Sequence, residues 1–111
     1  MEISESTRSG VVIFGLKGRL DASNANVLED TLLASIGAGM RRLVVDCGQL
    51  DYISSAGLRV LLVAAKRLKG GDGQIALAAL KEPIKEVFDI AGFSSIFHIY
   101  DTADEAVAGL Q

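Results

Sequence analysis

The sequence predicts an α/β fold: a mixed, mainly parallel sheet of about five strands packed with four helices, in the order β-β-α-β-α-β-α-β-α. Three observations carry this reading. Short runs rich in β-branched residues alternate with longer segments whose apolar residues recur every three or four positions. Leu43-Val44-Val45 is continuously apolar, as in a strand buried on both faces of a parallel sheet. Strands that alternate with helices need right-handed crossovers, which place the strands parallel.

The elements follow in order. Residues 2–7 make a weak polar strand, and Gly10 precedes the β-branched run Val11-Val12-Ile13-Phe14-Gly15-Leu16, so the two pair as a hairpin. Asp21 or Ser23 caps a helix in which Ala25, Leu28, Leu32 and Ile36 form one apolar face, and Gly37 and Gly39 stop it. Arg42 to Cys47 is the buried strand, and Gly48 to Ile53 reads as a loop. A helix from about Ser55 to Lys69 is apolar nearly all round, which makes it either central or the carrier of an apolar patch for a partner. Gly70-Gly71-Asp72-Gly73 turns the chain into a strand from Gln74 to Leu80. Pro83 suits the first turn of a helix with Ile84, Val87, Phe88 and Ala91 on one face, ended by a left-handed Gly92. Ile96 to Tyr100 is a short strand. Thr102 or Asp104 opens a last helix carrying Ala103, Ala106, Val107 and Leu110.

Composition narrows the function. At 111 residues, half of them hydrophobic, the chain has enough apolar surface to fold without disulfides or metal. The net charge is −3 and no basic cluster exceeds two adjacent residues, which argues against nucleic acid. A single cysteine fits a reducing compartment. Met1-Glu2-Ile3-Ser4-Glu5 has neither the basic nor the apolar region of a signal peptide, and no apolar stretch is long enough to cross a bilayer. The expectation is a cytoplasmic protein with no membrane partner.

Chemistry-bearing constellations are scarce. One His and one Cys do not make a zinc site, and no cofactor is expected. His98 reads as an ordinary strand histidine and Cys47 as core. Ser54-Ser55 lacks a nucleophile elbow and a nearby base, so no catalytic residue is expected and the chain reads as a non-enzyme. The glycine turn matches no nucleotide fingerprint. What stands out is strand, loop, then Ser54-Ser55-Ala56-Gly57 at a helix N-terminus, where free N–H groups favour negative charge. On the residues alone, Ser54 as N-cap with Ser55 merely the first helical residue is the better explanation of the pair.

Leu43-Val44-Val45-Asp46, followed by Leu50-Asp51-Tyr52-Ile53-Ser54-Ser55-Ala56-Gly57-Leu58-Arg59-Val60-Leu61, resembles the signature of the STAS family, and more narrowly of the bacterial anti-sigma factor antagonists. Leu16-Lys17-Gly18-Arg19-Leu20-Asp21 is similar to the family's element before its first helix, and Ile84 to Phe93 to its penultimate helix and turn. The likeness runs through nearly the whole chain, so residues 1–111 are expected to be one STAS domain. It implies that Ser55, two positions before Gly57, is the phosphoacceptor, with Ser54 the lesser candidate. Ser54 stands where the family motif has an acidic residue, and Ala56 also departs from that motif. The resemblance further implies an anti-sigma factor partner that is a GHKL-type, ATP-binding serine/threonine kinase, and a PP2C-type phosphatase. By the same resemblance, the unphosphorylated form is expected to bind the kinase and free a sigma factor. The alternative is a STAS scaffold or accessory subunit, in a stressosome or a transporter complex, without a phosphate switch. The partner surface is expected to comprise Asp21, Ser54, Ser55, Ala56, Gly57, Leu58, Arg59 and Leu62. Asp46 is expected close by, at the end of an adjacent strand.

Overall fold

The structure is a computed structural model that describes residues 1–111. Five strands form one sheet in the order β1-β2-β3-β4-β5, each hydrogen-bonded only to its neighbours in sequence. β1 (Glu2–Arg8) and β2 (Val11–Leu20) are antiparallel; β3 (Arg42–Ile53), β4 (Gln74–Ala78) and β5 (His98–Tyr100) follow parallel to β2. The hairpin turn is Ser9-Gly10, both with positive φ (55° and 78°). That is the backbone of a two-residue turn matching the strand twist, and glycine adopts it without strain.

The four helices are α1 (Ala25–Gly37), α2 (Ser55–Lys69), α3 (Glu82–Ile90) and α4 (Ala103–Leu110). Strand residues alternate between two cores. Phe14, Leu16, Leu43, Val45, Cys47, Ile75 and Leu77 face α1, α2 and α3. Val11, Val44, Ala76 and Ala78 face α4 through Ala106, Val107 and Leu110. This alternation is why the middle strands read as unbroken apolar runs.

Several expectations need correction. Gly48 to Ile53 is not a loop: it is the second half of β3. Between Asp46 and Gln49, β3 advances three residues against two in β2, from Gly15 to Lys17; between Leu50 and Tyr52 it advances two against one, from Gly18 to Arg19. Each bulge adds a residue to β3. Burial therefore falls on Cys47, Leu50 and Ile53 at steps of three, a pattern that conceals a strand. α1 begins after Asn24, and neither Asp21 nor Ser23 caps it. β4 stops at Ala78, because Ala79 takes φ +60°. α3 buries only Ile84 and Phe88, leaving Val87 and Ala91 exposed. Residues 93–95 form a 3-10 turn before the shortened β5.

α2 is central. It buries Gly57, Leu58, Val60, Leu61, Ala64 and Leu68, while Leu62, Val63 and Ala65 are half-buried. Its charged residues Arg59, Lys66, Arg67 and Lys69 are exposed.

Candidate functional site

The C-terminal ends of β2 and β3 carry the serine pair into α2. Leu20 pairs with Ile53, and the Ser54 N–H donates to the Leu20 carbonyl at 2.9 Å. This bond holds the last turn of β3 against the start of the Asp21 loop. Ser54 is extended (φ −97°, ψ 173°) and its hydroxyl oxygen accepts from the Gly57 N–H at 3.4 Å, so Ser54 is the N-cap. Ser55, the next residue, is exposed at the first helical position. The two hydroxyls thus differ in position: one is turned into the helix end, the other stands at the surface.

Gly57 explains itself by packing. A Cβ there would lie 2.7 Å from Leu20 Cγ and 3.0 Å from Ile53 Cγ1. Its lack of a side chain lets the first turn of α2 sit directly on the ends of β2 and β3. Leu58 lies in the same core and is only 8% exposed. Of the expected partner surface, Gly57 and Leu58 are therefore floor, Ala56 and Leu62 are half-buried, and Ser55 and Arg59 are exposed. Arg59 follows Ser55 by four residues, on the same side of the helix.

Asp21 is at the site but faces its own loop. Its carboxylate accepts from the Ser23 hydroxyl at 2.6 Å and the Ser23 N–H at 3.0 Å, and these bonds hold its pKa below the ordinary value. Asp46 is not at the site, contrary to expectation. It pairs with Gly15 in the middle of the strands, on the α4 side of the sheet, and its carboxylate accepts from Gly48 N–H at 3.0 Å. The misplacement follows from reading residues 48–53 as a loop, since those residues carry the chain away from Asp46.

The structure adds neighbours that sequence reading did not bring to the site. The Arg19 guanidinium lies 4.2 Å from the centroid of the Tyr52 ring, one residue before the Leu20–Ile53 pair. Lys81 pairs with Asp51 at 2.6 Å, and that bond keeps the Asp51 carboxyl below its usual range. The Arg19–Tyr52 pair depends on the bulged register of β2 and β3, Lys81 reaches Asp51 from the start of α3, and no local sequence signal marks either pair. Cys47 is fully inside the core; burial, and secondarily Asp46, push its thiol up to about 12. It is a thiol, not a thiolate, at neutral pH.

A strand end feeding a serine-capped helix, with the second serine displayed, sits on the fold of a known class. The chain belongs to the STAS domain family, whose model matches residues 2–106, and relatives that it matches are named as anti-sigma factor antagonists. The Bordetella bronchiseptica protein BtrV, named as an anti-sigma factor antagonist, is 42% identical over 111 residues, covering 100% of this chain and 96% of that one. The crystal structure of a Thermotoga maritima protein named the same way superposes with a TM-score of 0.93 at 22% identity, over 97% of this chain and 93% of that one. The Bacillus cell fate determinant SpoIIAA, solved in its phosphorylated form, gives a TM-score of 0.79 at 18% identity, over 99% of this chain and 100% of that one.

Proposed function

We propose that the chain is a phosphorylation-gated anti-sigma factor antagonist working in the cytoplasm, with Ser55 as the phosphoacceptor. The unphosphorylated protein binds an anti-sigma factor that is a GHKL-type serine kinase, and the sigma factor is released. Phosphate on Ser55 blocks that docking, and a PP2C-type phosphatase restores it. The observation that carries the assignment is the division between the serines: Ser54 serves as the cap, and Ser55 stands exposed beside it. The names of the relatives, and the phosphorylated form in which SpoIIAA was solved, support the same reading.

The physics of the switch needs no refolding. A phosphoserine adds nearly two negative charges. At the first position of α2 those charges meet unpaired N–H groups and the positive end of the helix dipole. The first turn of α2 holds no acidic residue, and the first charge along the helix is Arg59. The free domain therefore tolerates the phosphate. A docked partner desolvates the same charges and meets them with its own surface, so the cost falls on the complex.

The test is a pair of variants measured against the cognate anti-sigma factor. Ser55→Ala is expected to bind whether or not ATP is present, and Ser55→Asp to lose about a hundredfold or more in affinity. Mass spectrometry of wild type after incubation with kinase and ATP is expected to place the phosphate on Ser55. If both variants bind like wild type, the switch is absent and the domain is a scaffold. If the phosphate maps to Ser54, the acceptor is misassigned.

A further inference from the structure

A groove runs along the far half of α2, between that helix, the start of β4 and the segment that follows the 3-10 turn. It has a volume of about 560 Å³, within the range of clefts that take ligands. Its apolar lining includes Leu62, Ile75 and Ile96, and Ile96 is half exposed. Lys66, Lys69 and His98 edge it, and no Asp or Glu lines it. Neither lysine belongs to any ion pair of the chain. On a protein of net charge −3, this is a local basic, apolar-floored trough.

Basic residues in the last turn of a helix complement its dipole, which accounts for lysines at this end of α2. It does not account for Leu62 and Ile96 left open beside them. Ser95 of the 3-10 turn and Ile96 line that flank, and Ile96 stays half exposed there. Leu62 lies seven residues beyond Ser55, about 10 Å or two turns along the helix axis, so the groove lies further down α2 than the serine and meets the expected partner surface only at Leu62.

We propose that this groove docks a short acidic segment of a partner protein, apolar along one side. Leu62, Ile75 and Ile96 take its apolar side chains, and Lys66 and Lys69 pair with its carboxylates. The charge pairing at the rim sets orientation and selects against basic segments. The proposal does not depend on Ser55 being phosphorylated.

The probe is a fluorescein-labelled helical peptide of about a dozen residues, with Leu at positions one, four, five and eight and Glu on its flanks; its control replaces every Glu by Lys. Saturable binding of the acidic peptide is expected by anisotropy, with amide shifts in the labelled protein confined to Leu62, Lys66, Ile75, Ile96 and His98. The double variant Lys66→Glu, Lys69→Glu is expected to weaken binding about tenfold or more, with unchanged circular dichroism because both side chains are exposed. Ser55→Asp is expected to leave it unchanged, which separates this groove from the proposed phosphate site. Four results overturn the proposal: no saturable binding, equal binding of the Lys peptide, shifts that map elsewhere, or sedimentation of the protein with phosphatidylserine vesicles in place of peptide binding.

Discussion

At the scale of residues, the serine pair and its glycine divide three tasks among three positions. Ser54 satisfies the helix end, Ser55 faces solvent, and Gly57 lets the helix approach the sheet. Gly57→Ala is expected to lower stability although alanine is the better helix former. Its methyl meets Leu20, which is wholly buried and cannot swing clear, so overpacking of about 1–3 kcal/mol outweighs the propensity gain. Thermal melting checks this: a melting temperature at or above wild type refutes the packing account. Cys47 supplies a second expectation, with a definite sign. Its folded pKa is raised, so between its ordinary value near 9 and about 12 the folded state holds a proton that the unfolded state has released. Stability attributable to this thiol therefore falls as pH rises through that window, by on the order of 1.4 kcal/mol per unit. Denaturant unfolding between pH 9 and 11 should show a steeper loss for wild type than for Cys47→Ala, even though the variant starts lower because of its cavity.

At the scale of elements, β3 decides where the site is. Two bulges let a twelve-residue strand pair with a ten-residue one while keeping Cys47, Leu50 and Ile53 on the core side. Deleting Gly48 removes one of the extra residues and pushes Leu50 and Ile53 out of step with the core. The expected result is loss of a cooperative thermal transition; a deletion variant that melts as wild type does would show that the bulges are dispensable. The same element marks the boundary of what the sequence made legible. α1 was readable because Ala25, Leu28, Leu32 and Ile36 follow a single helical period and the structure buries those four. The hairpin was readable because Gly10 stands before a β-branched run. The second half of β3 was not, because a bulged strand has neither period two nor period 3.6. From that one error follow the misplaced Asp46 and the unforeseen Arg19–Tyr52 pair. The start of α2 at Ser55 was legible from the chemistry of capping alone, whereas the assignment of Ser55 as phosphoacceptor came from family resemblance.

At the scale of the whole molecule, the sheet divides the interior unequally. One face is covered by three helices and a large apolar core, the other by α4 alone. Truncation after Asp101 would strip Ala106, Val107 and Leu110 from Val11, Val44, Ala76 and Ala78 while leaving the larger core and the serine site in place. The shortened chain is expected to be strongly destabilised, which chemical denaturation would detect as a midpoint shifted to lower denaturant. An unchanged midpoint would mean that α4 contributes little. The consecutive order of the strands has a consequence of another kind. No strand has to wait for a distant segment to arrive, because each pairs with the one made just before it. Apart from the two-residue hairpin, each closure spans about one helix of chain, so the entropy lost in each is modest. During synthesis, the Ser54–Leu20 link becomes possible as soon as β3 has emerged, before β4, α3 or α4 exists. The surface that carries Ser55 is thus assembled from the segments up to α2, and the later units close the molecule around it.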